Sequence, residues 1–297
     1  MSVLMRQPVS RIPYHLWRYA HHLRLGQHPS RRRGTGLTFD QLIESHEGAG
    51  VRTINWAATA RRGGFPLLVN TYYDEKHITV MLLADLSASM AFGSVRVCKR
   101  VLVAEISASL VYSALVARDR VGLLGFTSQV EVYLPPRQAR SYQWAIPEAI
   151  HHHACTGTMA RFGVALDALE TWIKRPALVF LLSDFLTDDL PHLSQTLARL
   201  GARHDLIALV VSDPREEALP PGSASMSMRD LETGAVTTYR FSQKNRQRMA
   251  AMAQARQAHL QHLFDDLGIA SVTVTPSSDY GADLRQLFLG RRRRRRG

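Results

Sequence analysis

The chain is 297 residues long, 45% hydrophobic and 21% charged, a composition that supports a sizeable buried core and excludes a disordered or fibrous class. Its formal net charge of +12 is unevenly placed: residues 1–36 hold seven arginines and no acid, and residues 291–296 are six arginines more, so residues 37–290 sit near −1. The basic character therefore belongs to the two ends, which argues against specific nucleic-acid recognition by the body of the protein.

Two cysteines, Cys98 and Cys155, exclude a disulfide framework and fit a reducing compartment. No N-terminal run resembles a signal peptide. The longest apolar stretch, Val101 to Ala117, is broken by Glu105 and serines and is short for a membrane span. A soluble, cytoplasmic protein without a membrane span is expected.

Taken from the N-terminus, residues 1–36 read as a basic extension with a short amphipathic helix around Tyr14–Leu25, closed by the polar breaker Gln27–Gly36. Residues 37–76 read as a second segment packing on the main domain, with Phe65–Tyr73 extended. The main domain spans 77–290, and residues 291–297 are expected to form a self-repelling, disordered Arg tail. Strands are predicted at Ile78–Ala84, Val121–Phe126, Val130–Leu134, Ala177–Ser183, Leu206–Val211 and Ser271–Val274. Helices are predicted near Val95–Arg118, Gln143–His152, Phe162–Ile173, Leu190–Gly201 and Lys244–Leu267, with Ser94 capping the first and Gly268 stopping the last. The first helix is apolar on more than one face and should be buried. The last carries one stripe (Met249, Met252, Leu260, Leu263, Phe264, Leu267) and should lie on the surface. This alternation predicts an α/β fold with a doubly wound, mostly parallel sheet. The short Thr127-Ser128-Gln129 connection predicts a hairpin, hence one antiparallel edge strand.

The most informative stretch is Thr79-Val80-Met81-Leu82-Leu83-Ala84 followed by Asp85-Leu86-Ser87-Ala88-Ser89. A buried strand ending in Asp-x-Ser-x-Ser delivers three oxygen side chains at the carboxyl edge of the sheet, where open α/β folds bind ligands. A second apolar strand, Leu178 to Ser183, ends in Asp184, and between the two lies the turn-like Cys155-Thr156-Gly157-Thr158. Asp85, Ser87, Ser89, Thr158 and Asp184 make an oxygen set of the kind hard divalent cations take.

This set resembles the metal-ion-dependent adhesion site of von Willebrand factor A-like domains. The resemblance implies Mg²⁺ (or Mn²⁺), direct ligation by Ser87, Ser89 and the threonine, and water-mediated contacts from Asp85 and Asp184. An ion held mostly by neutral ligands keeps positive character for an Asp or Glu of a partner. The family's threonine stands three residues before Gly-x-Ala-Leu, here Gly163-Val164-Ala165-Leu166, and that position is Ala160. Either a longer loop lets Thr158 (or Thr156) reach in, or the site is degenerate; Thr158 is taken as the ligand.

Upstream, Arg52-Thr53-Ile54-Asn55-Trp56, Thr59-Ala60-Arg61 and Tyr72-Tyr73-Asp74-Glu75 look like the MoxR-associated branch of this superfamily, a bacterial domain-of-unknown-function family. Asp230-Leu231-Glu232-Thr233-Gly234 and the Leu284–Leu289 ending before the Arg run are similar too. The chain departs from it in Asn55, where the family usually has Asp, and in Gly48-Ala49-Gly50, where it has an acidic turn. The resemblance implies a von Willebrand factor A-like fold with an N-terminal extension, and partnership with a MoxR-type AAA+ ATPase in chaperone-like maturation of a target complex.

Competing chemistries are weaker in the sequence. None of the four lysines precedes Ser or Thr, so no phosphate-binding Gly-Lys-Ser/Thr loop exists, and no Gly-x-Ser-x-Gly elbow is present. His151-His152-His153 with Cys155 has zinc-ligand chemistry but reads as a solvated loop. The expected protein is an interaction module and not an enzyme; the alternative is a metal-dependent phosphohydrolase or nuclease using the same oxygens.

Overall fold

The computed structural model describes residues 38–44, 54–63, 65–73, 77–95, 97–154, 159–186, 190–217, 225–229, 236–240 and 242–294. The basic extension, Gly48-Ala49-Gly50, Thr156, Thr158 and Asp230–Gly234 all lie outside them. The described residues fall into two compact units, one ending at His77 and the other beginning at Ile78.

The first unit contains β1 (Thr38–Glu44), α1 (Trp56–Arg61) and β2 (Leu68–Tyr73), with the strands paired antiparallel from Thr38↔Tyr73 to Glu44↔Leu68. Asn55 caps α1: its Oδ1 accepts the Ala58 N–H at 3.0 Å. Asn and Asp are equivalent N-caps, so the departure at Asn55 leaves this cap chemistry intact. The buried Thr59 hydroxyl donates to the Asn55 carbonyl and accepts the Leu68 N–H, tying α1 to β2.

The second unit runs β3 (Thr79–Asp85), a 3₁₀ turn (Ala88–Ala91), α2 (Lys99–Val116), β4 (Arg120–Phe126), β5 (Val130–Arg137), α3 (Tyr142–His152), α4 (Phe162–Trp172), β6 (Leu178–Ser183), α5 (Leu190–Gly201), β7 (Asp205–Val211), the one-turn α6 (Pro214–Glu217), β8 (Ser225–Arg229), β9 (Val236–Arg240), α7 (Gln243–Asp266), β10 (Ala270–Val274) and α8 (Tyr280–Arg294). Six strands form one sheet in the order β10-β7-β6-β3-β4-β5, parallel throughout except for the β4–β5 pair. In order of appearance this is 6-5-4-1-2-3, the doubly wound arrangement whose order reverses at the first strand. The expected fold, mostly parallel with one antiparallel edge strand, is the one observed.

Both faces of the sheet are covered, which is why its strands read as unbroken apolar runs. On one face Val80, Leu82, Phe180, Leu182 and Ile207 pack with Ile106 and Leu110 of α2, Ile146 of α3 and Phe288 of α8. On the other, Met81, Leu83, Val179 and Leu181 pack with Leu166 of α4, Leu197 of α5 and Phe264 of α7. The edge strand β5 carries Pro135 and Pro136, which only an edge tolerates.

Several boundaries differ from expectation. Helix α2 begins at Lys99, with Cys98 at its N-cap, and Ser94 instead donates its hydroxyl and N–H to the Asp213 carboxylate, a charge-assisted pairing that fixes it outside the helix. Helix α7 does lie at the surface, but its stripe is buried only at Leu260 and Phe264. Gly268 follows α7 with φ +64°, the left-handed stop expected of it. The hairpin β8–β9 and the helix α8 were not anticipated. Residues 291–294 continue α8 instead of beginning a disordered tail. Arginine is a strong helix former, and the preceding turns are anchored by buried Tyr280, Leu284 and Phe288 at four-residue spacing.

Gly122 lies where β4 and β5 meet irregularly. A Cβ there would stand 2.7 Å from the Leu134 carbonyl oxygen and 2.9 Å from the Pro136 nitrogen, both backbone atoms that cannot swing aside. Gly122→Ala should destabilise the protein by about 1–3 kcal/mol, read from the urea midpoint; an unchanged midpoint would show that β5 yields freely.

Candidate metal centre

Strand β3 delivers Asp85 at its last residue, and the chain then turns sharply. Leu86 extends the ladder by donating its N–H to the Phe126 carbonyl at 2.8 Å, and its side chain is fully buried. The Ser87 N–H turns back onto Asp85 Oδ1 at 2.9 Å. Ser87 and Ser89 are both buried, with their hydroxyl oxygens 3.1 Å apart. On the neighbouring strand, Ser183 donates its hydroxyl to Asp85 Oδ2 at 2.6 Å and accepts the Phe185 N–H at 2.9 Å. Asp184 follows, buried, with Oδ1 accepting the Leu186 N–H at 3.0 Å. The parallel pairing of β3 with β6, Ala84 opposite Leu182, is what brings the two strand ends together.

Of the five site residues read from the sequence, the structure gathers Asp85, Ser87, Ser89 and Asp184 at one strand edge. Thr158 lies outside the described residues, while Ala160, which holds the family's threonine position, is buried and apolar. Three participants were missed: Ser183, Lys99 and Glu216. The Lys99 side chain is fully buried, its Nζ 2.6 Å from Asp184 Oδ2 and 2.6 Å from Glu216 Oε1. A lysine directly ahead of the Val101–Ala117 apolar run was the sequence signal for it. The histidines also differ from a solvated loop. His151 and His152 close α3, and the His153 carbonyl accepts the Arg100 guanidinium. Partial burial lowers the His151 pKa, with His152 and Arg100 adding to the effect.

The loop from Phe92 to Lys99 closes on itself. Lys99 donates its N–H to the Phe92 carbonyl at 2.9 Å. A Cβ on Gly93 would lie 2.5 Å from Cys98 Cα, so the approach requires glycine. Phe185, next to Asp184, has φ +53°, a left-handed conformation costly for a bulky residue. Its ring is buried, stacked on Phe162 at 5.2 Å and meeting Phe264 edge-on at 5.2 Å, which holds the backbone there.

Burial pushes the Asp85 pKa up to about 7, with the Asp184 charge adding to it and the Ser183 and Ser87 hydrogen bonds opposing it. Burial opposes the charge on Lys99, but Asp184 and Glu216 more than offset it and raise its pKa. Glu216 is raised by burial despite Lys99. Burial acts upward on Asp213 too, yet the Ser94 hydrogen bonds and Lys99 leave it lowered.

These donors fit Mg²⁺. Two cis ligands of an octahedral Mg²⁺ at 2.0–2.1 Å lie roughly 3.0 Å apart, and the Ser87 and Ser89 oxygens are 3.1 Å apart. Two neutral hydroxyls on the turn that follows Asp85, with buried Asp184 ending the neighbouring strand region, also suit an ion that keeps waters. Among the described residues, no group of three or more His, Cys, Asp or Glu side chains is placed to hold a metal, so the candidate centre depends on serine oxygens.

The fold and site define a doubly wound α/β protein with an oxygen-rich strand edge. The chain belongs to the family described as Protein of unknown function DUF58, whose pattern matches residues 44–260. An uncharacterized protein of Mycobacterium tuberculosis is 27% identical over 248 residues, covering 83% of this chain and 77% of that one. Among solved structures, the conserved hypothetical protein BatB of Bacteroides thetaiotaomicron is similar at 15% identity and a TM-score of 0.48, over 73% of this chain and 99% of that one. An aerotolerance-related membrane protein of Bacteroides fragilis is similar at 15% identity and a TM-score of 0.49, over 72% and 99%. Among the described residues of the present chain, no helix is long and apolar enough to cross a membrane.

The raised Asp85 pKa has a definite sign for the metal-free protein. The contribution of the neutral carboxyl is fully present below the unfolded value of 3.8 and is lost as pH rises through about 7. Asp85→Asn removes that loss. In EDTA, urea denaturation should find the variant more stable than the wild type above pH 7 and nearly equal to it below pH 4; an equally stable variant at both ends would show that Asp85 titrates normally.

Proposed function

We propose that the chain is a Mg²⁺-dependent (or Mn²⁺-dependent) protein–protein interaction module, cytoplasmic and without catalytic activity of its own. In this reading it works with a MoxR-type AAA+ ATPase in chaperone-like maturation or remodelling of a target complex. The observation that supports the metal is the pair of buried serine hydroxyls 3.1 Å apart, flanked by Asp85 and Asp184 at adjacent strand ends. Ser87 and Ser89 would contact the ion directly, with Thr158 as a third hydroxyl, and Asp85 and Asp184 would hold its waters. The ion would supply an electrophilic position for a partner's Asp or Glu. Membership of the family and the sequence resemblance to its MoxR-associated branch support the partner class.

The test is binding of the purified chain to its MoxR-type ATPase with Mg²⁺ and with EDTA. Binding should weaken at least about tenfold in EDTA. It should weaken as much in Asp85→Ala/Ser87→Ala, whose near-ultraviolet dichroism should match the wild type. Equal binding in all conditions would remove the metal bridge. Turnover of a generic phosphoester with Mn²⁺, abolished in Asp85→Asn, would instead establish the phosphohydrolase alternative.

A further inference from the structure

We propose that the Lys99 ammonium is a resident counter-charge of the metal centre, which positions Asp184 before an ion arrives and weakens the ion's hold. The inference rests on the metal reading above and adds to it a residue that controls how tightly the ion is kept and how much positive character it retains.

Lysine is almost never fully buried unless paired, and Lys99 is buried completely, with two carboxylates at 2.6 Å. It is one of only four lysines in a chain that otherwise uses arginine for its cations. A compact ammonium on a flexible stem can sit between two carboxylates where a planar guanidinium fork would need more room. The surrounding loop leaves the stem little freedom. The Lys99 N–H is held by the Phe92 carbonyl, Gly93 packs against the Cys98 backbone, and Ser94 is bound to Asp213. Both oxygens of Asp184 are engaged, Oδ1 by the Leu186 N–H and Oδ2 by Lys99, so this carboxylate is fixed without a metal.

The charge balance gives Lys99 its effect. Lys99 offsets the charge of Asp184 and Glu216 by direct contact and also acts on buried Asp213, so the ammonium lowers the negative charge this edge offers to a divalent cation. The nearest counter-charge to Asp184 is already supplied by the protein. An ion at the serines therefore gains less from Asp184 than it would beside a free carboxylate, and an incoming carboxylate is correspondingly more welcome.

The two charges of the pair give opposite predictions. Calorimetry with Mn²⁺ alone should find Lys99→Met about tenfold tighter than the wild type, because one positive charge has left the neighbourhood. Glu216→Gln should bind Mn²⁺ several-fold more weakly, because Lys99 then acts on Asp184 undivided. If Lys99→Met alone does not fold, Lys99→Gln, which keeps an N–H donor for Asp184 and removes the charge, should also bind more tightly. Loss of Mn²⁺ affinity in both single variants, or no change in Lys99→Met or its replacement, would overturn the counter-charge role while leaving the metal centre standing. Absence of Mn²⁺ and Mg²⁺ binding in the wild type and every variant would instead overturn the metal reading, and this inference with it.

Discussion

Two carboxylates, Asp85 and Asp184, end adjacent strands inside a protein that has nowhere else to place them. The parallel sheet is sealed on both faces by apolar helices, so polar groups of the strands can find partners only at the strand ends. The carboxyl edge meets that constraint with a graded set of donors. Ser183 and the Ser87 N–H serve Asp85, and Lys99 and the Leu186 N–H serve Asp184. The two acids end up with different electrostatics, the first with its pKa pushed up by burial, the second paired with an internal cation. Phe185, the residue after Asp184, packs its ring against Phe162 and Phe264, which hold a left-handed backbone that an unpacked phenylalanine would leave. The polar strand ends and the core packing are thus continuous at this edge.

The sheet was legible in the sequence because its strands are buried on both sides. Unbroken runs such as Leu178 to Leu182 stand out against their flanks, and the intervening helices have the period and length to cover them. The hairpin β8–β9 was not legible: Ser225-Met226-Ser227-Met228 is a weak strand pattern and lies outside the main sheet. Helix α8 was hidden by its arginines, which read as a self-repelling tail although four of them extend a helix anchored upstream by Leu284 and Phe288.

At the candidate site, the residues declared by local spacing were found and those supplied by tertiary contact were not. Asp85, Ser87 and Ser89 lie within five residues and announce themselves. Asp184 followed from recognising a second buried strand. Lys99 meets Asp184 across a sequence separation of 85 residues and Glu216 across 117, and the lysine comes from a helix start that looked ordinary. Pattern reading is blind to charges whose partner is fixed only by the fold. Asn55 shows the reverse case, a departure from the resembled family that becomes inconsequential for capping once the side chain is seen at a helix N-terminus.

The two prolines of β5 bear on how a partner can approach. Pro135 and Pro136 stand in the outermost strand on that side of the sheet and contribute no N–H groups. An extended peptide seeking to join the sheet there would find its ladder interrupted, which protects the edge from unwanted strand addition. Recruitment by β-augmentation is therefore disfavoured along β5. Under the proposed metal reading, a partner's acidic side chain would arrive end-on, down the strand axes, and selectivity would be set by the loops around the sheet's rim and not by main-chain pairing along β5.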